Sequence, residues 1–304
     1  MMDPKEAREL SIKLCSVTYE EIKKIPRSSR SRISEITPTD VLWTADLIAF
    51  SALERYLKNI DLPFTLITES RRIENENAQI IIVADELEGT RNFKDGNGPF
   101  AVSICIFDTK SSNILGAAVL VQDSWGVRIY SADDKYAYKE DYKRNERKRI
   151  KCTNKKLENC SIAVGDYHTS LSDARLLPLM ALYNTREKKP LNPLTETITG
   201  SYASAIDICY CADPQIGVVG YIDLRGLWSN ESKFPKHGIR AFDVIPSVHI
   251  LECAGGKATD VFGHKLNYDF KCETILTMIA GSNAEIHREL FERVRESLKM
   301  MRYL

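Results

Sequence analysis

The sequence predicts a layered α/β fold, and three observations support this. Apolar residues recur at helical spacing near both ends of the chain and around residue 50. Short apolar runs that are typical of strands lie between these segments. No internal repeat or low-complexity tract interrupts the alternation. Helices and strands that alternate in this way pack as layers, which indicates an α/β/α/β arrangement.

Two helices and a polar loop are predicted in the first sixty residues. Asp3-Pro4 is a favourable helix start, and an amphipathic helix is expected from there to about Lys24. The basic segment 26–32 lacks apolar periodicity and is expected to be a loop. A second helix is expected from about Thr44 to Lys58.

Strands dominate the next part of the chain. They are predicted near 64–68, 79–84, 100–107, 114–121 and 126–131. The densely charged segment 133–156 is interpreted as an exposed hairpin or insertion.

The second half repeats the alternation of strands and helices. The predicted elements are a strand at 161–164, helices at 174–183 and from Gly200, a strand at 217–222, a helix at 243–253, a hairpin with Gly263 and a last helix at 284–298. We expect an N-terminal α+β subdomain over residues 1–160 and a C-terminal α/β subdomain over 161–304.

Charge and hydropathy limit the classes of partner. The 42 basic and 42 acidic residues cancel, so no global field favours nucleic acid or an anionic membrane. No apolar stretch approaches the ~20 residues of a membrane span, and the N-terminus lacks the apolar core of a signal peptide. We therefore expect a cytoplasmic protein without nucleic-acid or membrane partners.

Acidic residues cluster behind the apolar strand that ends at Val83. Asp85, Glu86 and Glu88 follow it directly and precede a Gly-Thr turn. Glu69 ends the preceding strand, and Asp243 lies in the first turn of a later helix. Carboxylate oxygens are the ligands that Mg²⁺ prefers. The pattern predicts a site for divalent metal and phosphate.

These residues resemble the motifs of the inositol monophosphatase family. The family has an acid at a strand end, then Asp-Pro-(Ile/Leu)-Asp-Gly-(Thr/Ser), then a Trp-Asp or similar pair that begins a helix. Glu69, the run 85–90 and Phe242-Asp243 match these positions. The flanking segments 99–104, 251–260 and 278–283 are also similar to family segments. The resemblance extends from about residue 44 to residue 295, and archaeal sugar phosphatases are the most similar.

The resemblance implies a layered α-β-α-β(-α) sandwich of the sugar phosphatase type with two or three Mg²⁺ ions. It places Glu69, Asp85 and the Leu87 carbonyl on the first metal. It also implies that a threonine and an aspartate orient the attacking water. The implied second-metal ligands are Asp85, Glu88 and Asp243, the implied catalytic residues are Thr90, Asp46 and Glu69, and the implied phosphate-binding residues are Gly89 and Thr90.

Substrate recognition is expected in the second half of the chain. Ser201 and Ala203 match a family segment near the sugar hydroxyls. Asp223 and Arg225 follow a predicted strand, and we expect them to face the same cleft. An acid there would bind vicinal hydroxyls, and an arginine makes a second phosphate on the substrate conceivable.

The chain departs from the family motif at two positions. Glu86 stands where the family has Pro, and Glu88 stands where it has the second Asp. The leading hypothesis is a Mg²⁺-dependent phosphatase of a small sugar or inositol phosphate, of the inositol-1-phosphate or fructose-1,6-bisphosphate type. A catalytically weakened relative that binds a phosphorylated ligand, or has a structural role, is the first alternative. A nucleotide 3′-phosphatase is the second alternative. The family commonly forms dimers, so a homodimer with a small phosphorylated metabolite as its partner is expected.

Overall fold

The structure is a computed structural model that describes residues 2–36, 41–69, 71–144, 146–157, 160–165, 197–228, 238–268 and 275–300. Contacts divide the chain into two compact units. The first comprises 1–149 and 242–253, and the second comprises 150–241 and 254–304. Each unit is described separately below.

The first unit combines four helices with ten strands. The strands of this part of the chain are β1 (Ile33–Ile36), β2 (Val41–Trp43), β3 (Phe64–Thr68), β4 (Arg72–Ile73), β5 (Ile80–Glu88), β6 (Phe100–Asp108), β7 (Ile114–Asp123), β8 (Gly126–Ala132), β9 (Ala137–Asp141) and β10 (Glu146–Ile150). Its helices are α1 (Pro4–Ile22), α2 (Thr44–Leu57), α3 (Thr90–Asp95) and, from much later in the chain, α5 (Ala241–Cys253).

An eight-stranded sheet forms the centre of the first unit, in the order β10-β9-β8-β7-β6-β5-β3-β4. Strands β3 and β5 are parallel neighbours, whereas β5 to β9 run antiparallel in sequence. Apolar side chains of α1 and α2 pack with those of the sheet in one core, which includes Leu14, Leu53, Leu66, Ile82 and Ile104. Burial of this apolar surface stabilises the sheet and so holds in place the strand ends that carry the acidic residues.

The second unit contains a five-stranded sheet in the order β12-β11-β13-β15-β14. Its strands are β11 (Ser161–Val164), β12 (Thr197–Thr199), β13 (Val218–Asp223), β14 (Lys257–Thr259) and β15 (Met278–Gly281). The helices α4 (Ser204–Ala212) and α6 (Ala284–Met300) contact this sheet. Ile222, Ile279, Leu290 and Val294 lie in its apolar core.

The structure confirms the predicted α/β class and the order of the main elements. The Asp3 side chain accepts a hydrogen bond at the start of α1 as part of a capping box with Glu6. Strand β5 extends four residues beyond Ala84, because it continues to pair with β6 as far as Glu88. The acids therefore lie on the strand itself rather than after it. The helix predicted at 174–183 lies outside the described residues.

Three short elements were not predicted. The basic segment includes a 3-10 turn at Arg27–Ser29, and β1 and β2 form a small antiparallel pair. The charged segment 133–156 contributes β9 and β10, which extend the main sheet to its edge. Glu146 to Arg149 are exposed, as expected for that segment, but Ala137 and Glu140 are buried. Charged side chains on an edge strand discourage pairing with other chains.

The position of Asp243 differs from the expected division of the chain. A boundary at 160/161 would place Asp243 in the C-terminal subdomain. The contact division falls at 149/150 and assigns the helix segment Phe242–Cys253 to the first unit. There the His249 Nε2 atom contacts the Asp133 carbonyl at 2.7 Å. All the predicted metal ligands therefore belong to one unit.

No helix among the described residues is both long and apolar enough to cross a membrane.

His287 makes the stability of the second unit sensitive to acid. Its side chain is buried, and its Nε2 atom lies 2.9 Å from the Thr259 hydroxyl. Burial, reinforced by the charge of Lys257, lowers the pKa of His287 to about 4. The unfolded chain binds a proton near pH 6.5 and the folded chain does not, so this part of the stability is lost as the pH falls from about 6.5 to 4.

We expect His287→Gln to show a smaller loss of unfolding free energy between pH 7 and pH 4.5 than the wild type. The difference should be at most about 3 kcal/mol, because one pKa unit corresponds to about 1.4 kcal/mol. Urea unfolding at the two pH values measures it. Parallel pH profiles for the two proteins would contradict the prediction.

Candidate metal centre

A β-bulge brings Asp85 and Glu88 together. Successive side chains of a regular strand alternate between faces, so residues three apart would point in opposite directions. The pairing of β5 with β6 shifts here, because Asp85 pairs with Ser103 and Glu88 pairs with Ala101. The extra residue resets the alternation. Both carboxylates, which are 1% and 8% exposed, can therefore point to the same place.

Asp243 completes a group of three acids with Asp85 and Glu88. It lies in the first turn of α5 and is 9% exposed. One ligand oxygen from each of the three residues lies within 4.8 Å of the others. Two oxygens on opposite sides of one Mg²⁺ are about 4.2 Å apart, so this spacing suits a shared cation.

Glu69 lies close to this group, at the end of the neighbouring strand. Strands β3 and β5 are parallel, and Thr68 pairs with Ala84. Glu69 and Asp85 are the next residues on the two strands, so they lie at the same end of the sheet. The charge of Glu69 acts on the Asp85 carboxyl from there, but Glu69 is not among the three acids whose oxygens lie within 4.8 Å of one another.

The electrostatics of the metal centre favour a bound cation. Burial, followed by the negative charges of Glu88, Glu69 and Asp243, raises the pKa of Asp85 well above its ordinary value. Like charges at close range repel one another, and desolvation adds to the cost. A divalent cation would offset both effects, so the residues present fit a metal.

The turn after β5 connects the acids to α3. Gly89 has a φ of 80°, a conformation that a side chain disfavours, and α3 begins at Thr90 as predicted. The Thr90 hydroxyl donates to the Leu87 carbonyl at 2.8 Å and lies 3.4 Å from Asp46 Oδ1. A hydroxyl has one proton, which is shared between these two acceptors, and the contact with Leu87 is the shorter one.

Asp46 makes one contact at the start of α2 and one with Thr90. Its Oδ2 atom accepts a hydrogen bond from the Trp43 backbone N–H at 2.7 Å, which caps the start of α2. Its Oδ1 atom is the one that faces Thr90. The cap therefore fixes the carboxylate beside the threonine.

The contact between Glu86 and Thr68 was not predicted. The sequence indicated Glu86 as one of the clustered acids and as a departure from the motif. Its side chain is 1% exposed, and its Oε1 atom accepts from the Thr68 hydroxyl at 3.3 Å. The signal available in the sequence was a threonine at the end of a strand parallel to the one that carries Glu86.

The structure buries Asp223 and Arg225, which the sequence was expected to place facing a cleft. Asp223 is 0% and Arg225 is 1% exposed, and they form an ion pair with each other inside the second unit. Tyr221 also donates to the Asp223 carboxylate at 3.0 Å. A buried arginine needs a buried partner, and the aspartate two residues earlier supplies it.

Ser201 and Ala203 precede α4 in a tightly bonded turn. The Ser201 backbone N–H donates to both carboxylate oxygens of Asp207, at 3.0 and 3.1 Å. The Ser201 hydroxyl donates to the Ala203 carbonyl at 2.9 Å. Between them Tyr202 has a φ of 57° and is 57% exposed. The turn is therefore fixed by its own side chains.

A curated relative is similar to almost the whole chain. It is the fructose-1,6-bisphosphatase/inositol-1-monophosphatase of Archaeoglobus fulgidus, which is 24% identical over 306 residues that cover 97% of this chain and 100% of the relative. No protein-family model matches the chain.

Solved structures with the same fold include the extragenic suppressor protein suhB of Bartonella henselae, with a TM-score of 0.69, 21% identity and coverage of 95% of this chain and 96% of that one. A Pyrococcus horikoshii protein with similarities to inositol-1 monophosphatase has a TM-score of 0.69 at 20% identity, covering 96% and 99% of the two chains. An inositol monophosphatase–fructose 1,6-bisphosphatase also has a TM-score of 0.69 at 20% identity, covering 94% and 98%. The chain therefore has the fold of the inositol monophosphatase family and resembles that family in sequence over nearly its whole length.

Proposed function

We propose that this protein is a Mg²⁺-dependent phosphatase that hydrolyses a small sugar or inositol phosphate monoester. The observation that carries the proposal is the convergence of Asp85, Glu88 and Asp243 at one buried point. The resemblance to an archaeal phosphatase over 97% of the chain supports the same reaction class.

The acids would hold the metal ions, and the ions would lower the pKa of a bound water and stabilise the leaving oxygen. We assign Glu69, Asp85 and the Leu87 carbonyl to one ion. We assign Asp85, Glu88 and Asp243 to another. Such a set of oxygen ligands suits Mg²⁺, which binds few other donor types.

We propose that Thr90 and Asp46 orient a water molecule. In the structure the Thr90 hydroxyl donates to the Leu87 carbonyl. If the Leu87 carbonyl binds a metal, that hydroxyl can turn toward Asp46, whose Oδ1 atom is 3.4 Å away. The threonine oxygen would then accept a hydrogen bond from water. Gly89 leaves room for the phosphate to approach the backbone.

The substrate side of the site is assigned to the second unit. We propose that Ser201 and Ala203 contact sugar hydroxyls. Asp223 and Arg225 would contribute through their buried network, because Tyr221 also bonds to the Ser204 hydroxyl at the start of α4. We further propose that the protein acts as a homodimer, as the resemblance implies, and that it is cytoplasmic, as the hydropathy of the sequence led us to expect.

Phosphate release from a panel of substrates tests the activity. The panel contains inositol 1-phosphate, fructose 1,6-bisphosphate and adenosine 3′,5′-bisphosphate, each with and without Mg²⁺. We expect Mg²⁺-dependent turnover of inositol 1-phosphate, fructose 1,6-bisphosphate or both. Asp85→Asn serves as the blank, because it removes a predicted ligand of both ions.

Turnover no higher than the Asp85→Asn blank, in wild-type protein shown to be folded, would contradict the phosphatase proposal for this panel. It would favour a relative that binds a phosphorylated ligand without hydrolysing it. Turnover of adenosine 3′,5′-bisphosphate alone would favour the nucleotide 3′-phosphatase.

A further inference from the structure

Glu69 lies in the turn between β3 and β4, which follows directly on Thr68, the last residue of β3. The Thr68 backbone N–H donates to the Arg71 carbonyl at 2.9 Å. The Thr68 hydroxyl accepts from the Arg71 N–H at 3.0 Å and donates to the Arg71 carbonyl at 3.0 Å. These bonds close the turn on both sides of Glu69. The position of the Glu69 carboxylate therefore depends on where Thr68 is held.

Glu86 holds Thr68 from the neighbouring strand. The register of the parallel strands pairs Thr68 with Ala84, so Glu86 lies two residues further along β5, beside the turn. Its Oε1 atom is 3.3 Å from the Thr68 hydroxyl, whose single proton is shared between this carboxylate and the Arg71 carbonyl. This contact bridges β5, which carries Asp85 and Glu88, and the turn that carries Glu69.

Glu86 is a buried carboxylate, and its presence in an apolar region needs an explanation. Its side chain is 1% exposed and belongs to the face of β5 that also buries Ile82 and Ala84 in the apolar core. A carboxylate in such surroundings is costly unless it makes hydrogen bonds. An apolar residue would pack there at a lower cost. A carboxylate at this position thus suggests that its hydrogen bond to Thr68 has a function.

We propose that Glu86 is a positioning residue that fixes Glu69 for metal binding through the hydroxyl of Thr68. The inference rests on the metal site of the proposed function. It assigns a role to a residue that stands where the related motif has proline. Partners of metal ligands typically change metal affinity by about 10- to 100-fold when they are removed, so an effect near tenfold is expected.

Mn²⁺ binding to the full-length protein, followed by electron paramagnetic resonance without substrate, tests the proposal. We expect Glu86→Ala and Thr68→Val each to raise the Kd for Mn²⁺ about tenfold. The double variant should bind no more weakly than the weaker single variant, because both changes remove the same hydrogen bond. Glu86→Gln and Thr68→Ser keep a hydrogen-bonding atom and should bind nearly as the wild type does.

Thr65→Val is the matched control. Thr65 lies on the same strand and its hydroxyl bonds to the Asn75 backbone rather than to Glu86. We expect its Kd to equal that of the wild type. Urea unfolding checks that each variant is folded. Glu86→Leu, which fills the same space with an apolar side chain, tests the proposal even if Glu86→Ala does not fold, since Thr68→Val also removes the bonds to Arg71.

Three results would overturn the inference. They are an unchanged Kd in folded Glu86→Ala or Thr68→Val, an equal loss in Thr65→Val, and additive losses in the double variant. Wild-type protein that binds no Mn²⁺ would overturn both this inference and the metal site. Wild-type protein that binds Mn²⁺ through Asp85 but hydrolyses nothing would contradict the phosphatase proposal alone.

Discussion

Replacing Asp85 with Asn is expected to abolish phosphate release and to weaken metal binding by more than about a hundredfold. Even the outer partners of metal ligands commonly change affinity by about 10- to 100-fold, and Asp85 is a predicted direct ligand. Asparagine keeps the shape and the oxygen that accepts the Leu87 N–H at 3.0 Å, so the strand should remain intact. Phosphate release and Mn²⁺ titration measure the two effects.

The same substitution should stabilise the metal-free protein at neutral and alkaline pH. The folded-state pKa of Asp85 is raised above its ordinary value of 3.8, so the folded chain retains a proton that the unfolded chain releases. Stability from this source is present in acid and is lost as the pH rises from about 3.8 through the raised pKa. We expect Asp85→Asn to have a higher unfolding midpoint than the wild type at pH 8 without metal.

Added Mg²⁺ and low pH should each remove the higher unfolding midpoint of Asp85→Asn relative to the wild type. Added Mg²⁺ stabilises only a protein that binds it, so it should raise the unfolding midpoint of the wild type and not of the variant. At pH 4 the metal-free midpoints should converge. Asp108→Asn is the control, because Asp108 bonds to Ser111 at the other end of the sheet. A variant that is less stable than the wild type under metal-free conditions at pH 8 would contradict the electrostatic explanation.

Shortening Glu88 to Asp is expected to reduce kcat/KM on the order of a hundredfold, although aspartate is the residue in the related motif. Glu88 already brings an oxygen within 4.8 Å of those of Asp85 and Asp243, and its side chain is buried. Removing one methylene withdraws the carboxylate by about an ångström, and a displacement of that size can cost about a hundredfold.

Kinetics and Mn²⁺ binding of Glu88→Asp measure this effect. Glu140→Asp provides the control, since Glu140 is a buried glutamate that pairs with Arg147 at 2.7 Å away from the acidic group. It should retain activity. A strong gain of activity in Glu88→Asp would show that the native glutamate weakens the site and would support the catalytically weakened relative.

The main elements of the fold were predictable because each depends on a local pattern. The Asp3-Pro4 cap and the Ile-rich strand beginning at Ile80 are examples, and both lie where the sequence placed them. The strands β9 and β10 were harder to predict, because their charged residues hide the alternation typical of a strand. Their pairing depends on β8, which is a tertiary contact.

The acidic residues of the metal centre could be predicted from the sequence, but the backbone geometry that orients them could not. Glu69 directly follows β3 and Asp85 lies on the parallel strand β5, so their position at the same end of the two strands follows from a simple rule of sheets. The bulge at Asp85 to Glu88 depends on the partner strand β6, which a motif does not reveal. The burial of Asp223 with Arg225 was missed because an acid and an arginine two residues apart give no sign of facing inward.

The bulge in β5 also limits which evolutionary changes the segment 85–88 can accept. The backbone allows Asp85 and Glu88 to point to the same place. Between the pairs Asp85–Ser103 and Glu88–Ala101, β5 has one residue more than β6. Exchanging Glu86 or Leu87 for other side chains leaves that spacing intact, whereas deleting one residue would turn a carboxylate into the apolar layer. Length is therefore under stricter constraint here than side-chain identity, and drift in this segment is expected as substitutions rather than as insertions or deletions.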